Sequence, residues 1–420
     1  MNRLPLADQL PYSFLEPKVG RFWLALGRLY ARRVYLREHR VHSVEVRGLD
    51  RLKALLDRGD GILIAPNHPD HADCGVMLDL GRQLDRAIYF MAAYQLFRGH
   101  GGLARFMLPR IGAFPVDREG SDLKAFKTGV EILARGRDPL VVFPEGEIYH
   151  LAGRLTPLRD GAVALATTAA KRLASRGKST WIVPTALQYR FVSGQDPLPA
   201  LGRVLDGLEA RFSWGPRPGR PIVERVYQYA AGLLALKELE YLGETRSGPI
   251  PARVASLRDA ILDGLESRLG LTAAPGSVAD EVPLRVKAIR RACLDRLAEP
   301  GITASSADEL RRVLQDVFVA VQLFSYPGDY LRERPTVERL AETLTKFEQD
   351  TLGTEPPPRA DRHAIVEFGE PIDIGARLAT LGKPRVAIGA ITAELHGRIQ
   401  AMIDALGSGR PIDPELVVSP

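Results

Sequence analysis

Cysteine is nearly absent: Cys74 and Cys293 are the only two in the chain. They allow at most one disulfide and no cysteine-rich metal site, so a reducing compartment is expected. Long apolar runs are missing as well. No stretch approaches the roughly 20 apolar residues that a membrane-spanning helix needs, which leaves peripheral contact as the expected mode of any membrane association. Residues 1–20 have no apolar core and carry Pro5, Pro11 and Pro17, unlike a signal peptide. Histidine is scarce at eight residues. Outside one short stretch these are scattered, so no second cluster completes a metal shell and no bound metal is expected. No internal repeat or low-complexity tract occurs.

What is present belongs to a folded protein. Hydrophobic residues make up 45% and charged residues 26% of the 420 positions, proportions of a soluble globular chain long enough for one large domain or two ordinary ones. The net charge of +6 and pI near 9.3 suit anionic lipid, phosphorylated substrates or nucleic acid. No nucleic-acid-binding module is recognisable, so nucleic acid is not an expected partner.

Gly61 to Asp73 concentrates the chemistry. Gly61–Ala65 is a short β-branched apolar run that reads as a buried strand. It ends at Pro66, and His68, Asp70, His71 and Asp73 follow directly. A strand end that opens into a helix is where α/β folds place their sites. His68 and Asp73 are five apart, about 140° off one helical face, and would not meet on a continuous helix. Pro69 keeps His68 extended and suits a first helical position, which places Asp73 about one turn in, within reach of His68 folding back. A carboxylate on one ring nitrogen fixes the tautomer and supports the charged ring when the other nitrogen takes a proton. This is a general base with no nucleophile of its own beside it, so the nucleophile is expected to come with the substrate.

Asn67-His68-x-x-x-x-Asp73 resembles the first motif of the PlsC-type glycerolipid acyltransferases, which move a fatty acyl group from a thioester to a hydroxyl. Three further segments resemble the family's remaining motifs in order. Ile111-Gly-Ala-Phe-Pro-Val-Asp-Arg118 ends in an arginine that the resemblance assigns to the acceptor's phosphate, matched by the donor fork of a guanidinium. Phe143-Pro-Glu145-Gly146 is similar to the third motif, implying that Glu145 accepts from acceptor hydroxyls and that Gly146 lets backbone approach the ligand. Thr180–Ala186, with Pro184, is similar to the fourth, assigned to the donor side. The chain departs from the pattern at Glu147-Ile148-Tyr149-His150, where a Thr-Arg or Thr-Ser pair is usual. A carboxylate there repels a phosphate, which puts the acceptor in question.

The resemblance implies an α/β fold, a mixed sheet flanked by helices, carrying a fatty-acyl O-transferase that needs no cofactor. The implied donor is acyl-CoA or acyl-carrier protein. The implied acceptor is a lysophospholipid-like alcohol, or a non-phosphate one such as a lyso-amino-lipid. A non-catalytic lipid-binding protein on the same fold is the alternative class. The expected location is cytoplasmic and peripheral to the membrane.

The expected organisation has four parts: an amphipathic segment over 1–40, an acyltransferase domain over 40–190 plus 362–406, a helical insertion over 191–361, and a tail over 407–420. Residues 18–38 read as a helix with Arg21, Arg28 and Arg32 on one face and Phe22, Leu26, Leu29 and Tyr30 on another, beside Trp23. That pattern suits a membrane surface or packing on the domain. Strands are expected at Val44–Gly48, Arg86–Ala93, Pro139–Phe143, Thr180–Ala186 and Ala364–Ile372. Helices are expected at Asp73–Leu80, Tyr94–Leu108 with a break near Gly99–Gly102, Ser121–Arg135 with Asp122 in its first turn, Ala162–Ser175 and Arg385–Leu406. Six more lie in the insertion, separated by breaks such as Gly215–Pro221 and Glu355–Pro358.

Overall fold

The computed structural model describes residues 12–98, 102–118, 122–215, 217, 219–271, 282–353 and 356–418. Two compact units divide them: Tyr12–Gln195 with Ala360–Ser408, and Asp196–Arg359 with the chain from Gly409 on.

The first unit is built on one mixed sheet. In chain order its N-terminal part holds α1 (Arg21–Tyr30), a π-helical stretch (Ala31–Tyr35) running into α2 (Leu36–Glu38), β1 (Val41–Arg47), α3 (Leu49–Asp57), β2 (Gly61–Pro66), α4 (Asp73–Leu84) and β3 (Tyr89–Ala93). There follow α5 (Leu103–Arg110), β4 (Ala113–Val116), α6 (Leu123–Arg135), β5 (Leu140–Val141), α7 (Gly161–Ala174) and β6 (Thr180–Phe191). The strand order is β1-β7-β6-β2-β5-β3-β4, with β7 (Arg362–Phe368) and β8 (Ile372–Asp373) supplied from the far side of the second unit; β8 pairs with β6. β6, β2, β5, β3 and β4 are mutually parallel, and β7 runs antiparallel to β6.

β2 shows why the middle strands are apolar throughout. Ile62 and Ile64 enter one hydrophobic cluster with Leu52 of α3 and Met77 of α4. Leu63 and Ala65 enter the other with Leu133 of α6 and Val163 of α7. Both faces are covered, so alternation disappears. Each such Ile or Leu contributes about 1.5–3 kcal/mol by leaving water. Continuing in chain order, the second unit holds α8 (Leu198–Arg211), α9 (Ile222–Leu242), α10 (Ile250–Leu269), α11 (Val282–Leu297), α12 (Ala304–Phe324), α13 (Tyr330–Glu333) and α14 (Val337–Leu352). The first unit closes with α15 (Ile374–Leu381) and α16 (Pro384–Leu406), whose Ile391, Leu395 and Ile399 complete the second cluster.

In the second unit α9 to α12 share a core around Leu257, Leu262, Ile289 and Val317. Buried arginines pin its helices together. Arg285 of α11 meets Glu266 of α10 at 2.7 Å, and Arg225 of α9 reaches Glu209 of α8.

Several boundaries differ from expectation for local reasons. α4 begins at Asp73 itself, and Pro69 stands outside it. Asp70 accepts the Ala72 N–H through its side chain at 2.9 Å, an Asx turn that competes with the helix and delays its start. Asp122 is the N-cap of α6, accepting from Ala125 N–H at 2.9 Å, and does not sit inside the first turn. β6 runs on to Phe191 because β7 pairs with its far half. The expected closing strand is two strands, β7 and β8, split at Gly369–Pro371. The helix expected over Tyr94–Leu108 with a break near Gly99–Gly102 is a 3₁₀ stretch (Tyr94–Arg98) before that point and α5 after it. Of the expected features, residues 1–11, Gly99–Gly101, Ser121, Pro216, Pro218 and Glu355 lie outside the described residues.

α1 packs with a face other than its apolar one. Leu24, Gly27 and Ala31 are buried, and Gly27 lies where a Cβ would come within 2.5 Å of Ile111 Cγ2. Phe22 is 70% exposed, Leu29 54% and Tyr30 53%. Arg28 turns inward and donates to the carbonyl of Arg86.

Candidate active site

Three strand ends on the carboxyl side of the parallel strands bring the site together. β2 delivers Asn67 and His68, β5 leads into Phe143–Gly146, and β4 leads into Arg118. Asn67 anchors the first of these. It is 1% exposed and bridges the backbone of Leu187, with Nδ2 donating to its carbonyl at 3.0 Å and Oδ1 accepting its N–H at 2.7 Å. The amide side chain thus extends the ladder between β2 and β6 after the β2 backbone has turned away.

His68 follows immediately. Its ring stacks on Phe143, with centroids 3.9 Å apart and planes 17° apart. Nδ1 lies 2.7 Å from Oδ2 of Asp73. Asp73 is fully buried, whereas the His68 side chain keeps 14% of its surface exposed. Among the described residues no group hydrogen-bonds Nε2. The ring is therefore locked at one nitrogen and open at the other, the arrangement of a general base.

Three donors surround the Asp73 carboxylate. Besides His68, the Asp70 N–H donates to Oδ2 at 3.1 Å and the Tyr189 hydroxyl donates to Oδ1 at 2.6 Å. Burial raises the pKa of Asp73, and the hydrogen bonds from His68 and Tyr189 oppose that rise. Burial and the nearby Asp73 and Asp70 charges hold Tyr189 well above its ordinary value, so it remains a donor. Asp70 is itself paired with Arg362, at 2.6 Å. Burial would raise the Asp70 pKa, but the Arg362 charge overrides burial and lowers it. Cys74 is pushed up to about 12 by burial and the neighbouring Asp73, which leaves it a neutral thiol.

Glu145 is buried and engaged at both oxygens. Oε1 accepts the His68 N–H at 2.7 Å; Oε2 accepts the Thr156 N–H at 3.0 Å and the Thr156 hydroxyl. Burial raises its pKa against these bonds. The sequence suggested a contact to acceptor hydroxyls; here the residue ties the β5 loop to the backbone of His68. Gly146 has φ 78°, and a Cβ on it would come within 2.6 Å of Arg159 Nε. Its neighbour is thus a guanidinium packed against the turn, and only glycine fits. Arg118 donates to the Gly146 carbonyl and lies 3.0 Å from Glu147 Oε2, both side chains about one quarter exposed. Pro184 sits inside β6 opposite Ala65, and its carbonyl accepts the Gly369 N–H at 2.9 Å.

The structure therefore brings His68, Asp73, Glu145, Gly146 and Arg118 to one end of the sheet and keeps Pro184 within a strand. The sequence reading did not single out Tyr189 or Arg362. Neither had a local signal: Tyr189 is one aromatic in a strand, and Arg362 opens a strand on the far side of the insertion. A family model described as Acyltransferase matches residues 43–188, from β1 to within β6. No curated protein matches the chain.

Proposed function

Since residues 43–188 place this chain in the PlsC-type glycerolipid acyltransferase family, we propose that it transfers a fatty acyl group from acyl-CoA or acyl-carrier protein to the hydroxyl of a lysophospholipid-like acceptor, with His68 as general base. The observation that carries this reading is the 2.7 Å contact between His68 Nδ1 and buried Asp73, with Nε2 left open.

The acceptor hydroxyl lies against Nε2. Its proton passes to Nε2 as the oxygen attacks the thioester carbonyl carbon. Asp73 stabilises the resulting imidazolium. When the tetrahedral intermediate collapses, the C–S bond breaks and the thiolate leaves, recovering the proton from His68. A placed base contributes about 10²- to 10⁴-fold, and holding two bound substrates in line adds to this. Glu145 contributes by fixing the His68 backbone.

The exposed apolar stripe of α1 supports a peripheral membrane contact. Phe22, Leu26, Leu29 and Tyr30 continue into Trp23, which stacks edge-on against Phe106 of α5 at 5.4 Å, and into Leu103, 61% exposed. Arg110 lies over the Phe106 ring. Aromatic and aliphatic side chains rimmed by arginine suit an anionic lipid interface. No helix among the described residues is long and apolar enough to cross a membrane.

A second reading concerns the acceptor. The Arg118–Glu147 pair favours an acceptor without a phosphate, such as a lyso-amino-lipid, because the Glu147 carboxylate beside the guanidinium repels a phosphate. Purified protein incubated with labelled long-chain acyl-CoA and, in turn, lysophosphatidate, glycerol 3-phosphate and lyso-amino-lipids tests both. Transfer to at least one acceptor is expected, lost in His68→Ala and cut severely in Asp73→Asn, with the circular dichroism spectrum unchanged. Near-normal turnover by His68→Ala would overturn the mechanism.

A further inference from the structure

Tyr189 lies just past the stretch that matches the family model. β6 makes this placement possible. Its first half, Thr180–Thr185, pairs with all of β2, and its second half overhangs the end of β2 and pairs only with β7. The overhang carries Tyr189 past the point where β2 turns into the His68 loop, and its hydroxyl meets Asp73 Oδ1 at 2.6 Å, opposite the oxygen bonded to His68. Tyr189 is 6% exposed. Its ring is held from the other side by Arg362, whose guanidinium carbon lies 4.6 Å from the ring centroid.

On the general-base reading above, we propose that Tyr189 is a positioning residue for the His68–Asp73 pair, which orients the carboxylate and drains charge from it, so that His68 gives up its proton more readily. The physical argument is one of competition. A carboxylate in a dry site distributes its charge among its donors, and hydrogen bonds to ionised groups are among the stronger ones. A neutral donor on Oδ1 weakens what Asp73 offers to an imidazolium on Oδ2. Without that donor Asp73 favours the protonated ring, and the base fills with a proton at a higher pH. The other ionisable groups facing the pair are Asp70, Cys74 and Glu145. Arg362 neutralises Asp70, and the Asp70 charge is further influenced by His150. Cys74 is a neutral thiol, and both oxygens of Glu145 are held by backbone and Thr156. None of them donates to Oδ1.

The test is the pH profile of kcat/KM for acyl transfer, measured on the full chain with the acceptor that the screen identifies. Tyr189→Phe removes one hydroxyl and keeps the ring under Arg362. The acid limb is expected to move to higher pH by about half a unit, with kcat at neutral pH down by up to about threefold and the acceptor KM unchanged. Site-specific replacement of Tyr189 by 3,5-difluorotyrosine, a stronger donor of nearly the same shape, is expected to move the limb the other way. A role in packing alone predicts no ordered shift through the three side chains. Unmoved limbs in both variants, with His68→Ala inactive, would overturn the proposal for Tyr189 alone. An active His68→Ala would instead overturn the general-base reading on which it rests. If Tyr189→Phe fails to fold, the fluorinated protein decides the matter.

Discussion

Glu147 and Arg118 carry the argument about substrate at the scale of single residues. Both are partly exposed and 3.0 Å apart, so the pair contributes about 0.2–1 kcal/mol and is easily exchanged for a ligand. Glu147→Gln removes the carboxylate partner of Arg118 and leaves its bond to the Gly146 carbonyl. For a phosphate-bearing acceptor KM is expected to fall about threefold or more, with kcat little changed. For an ammonium-bearing acceptor KM is expected to rise. Steady-state kinetics with one acceptor of each kind checks this, and an unchanged KM for both would remove the pair from the acceptor site. Asn67 and Glu145 act differently. One extends a β ladder with its side chain and the other ties two loops together, so their value lies in placing the His68 backbone. The sequence named Glu145 from a motif, but its partners became legible only when the β5 loop and Thr156 were seen side by side.

At the scale of elements, α1 shows what an amphipathic pattern leaves open: the sequence allowed its apolar stripe to face a membrane surface or to pack on the domain, and the stripe is exposed. Its apolar and arginine-bearing faces are both evident in the sequence. The face that packs is a third one, running through Leu24 and Gly27 into Ala31 of the π-helical stretch, and at Gly27 the close approach of Ile111 leaves no room for a side chain. The apolar stripe is left outward. Phe22→Asp with Leu29→Asp changes two side chains that are 70% and 54% exposed, so the melting temperature is expected to hold. Each apolar side chain that enters lipid contributes about 1.5–3 kcal/mol, and the double variant should lose roughly 10²-fold or more in vesicle partitioning. Co-sedimentation with vesicles containing anionic phospholipid measures it, and equal partitioning would sink the membrane assignment. β6 makes a related point. Its apolar first half was recognisable as a buried strand, but its length depends on β7, which lies far along the chain.

At the scale of the molecule, the first unit is assembled from two chain segments, and the neck between them is closed. The Val192 N–H donates to the Asp361 carbonyl at 2.9 Å, the Asp361 N–H to Gln195 Oε1 at 2.8 Å, and Gln195 Nε2 to Asp361 Oδ2 at 3.0 Å. Chain ends this close can be joined by a short loop, and the closure entropy of a long insertion changes only slowly with its length. A chain ending at residue 408 in which a short glycine-serine turn replaces residues 197–358 is expected to fold, unfold cooperatively and keep the β6–β7 pairing. Urea unfolding followed by near-ultraviolet circular dichroism tests this, and a molten or insoluble product would show that the helical unit is needed for folding. Whether acyl transfer survives the same excision measures any part the helices take in handling substrate.

Local chemistry alone determined a good deal of this protein. The apolar run ending at Pro66, the His68–Asp73 spacing, the strand-end motifs at Arg118 and Glu145-Gly146, and the helical character of the middle third all depend on neighbours within a few residues, which is the range over which periodicity and turn chemistry act. Tertiary structure decided the rest. That Tyr189 donates to Asp73, that Arg362 neutralises Asp70, that Glu147 occupies Arg118 and that α1 shows its apolar stripe to solvent are facts about groups distant in sequence. They are set by which strand lies beside which and by how far each overhangs its neighbour, and no short stretch of sequence carries that information.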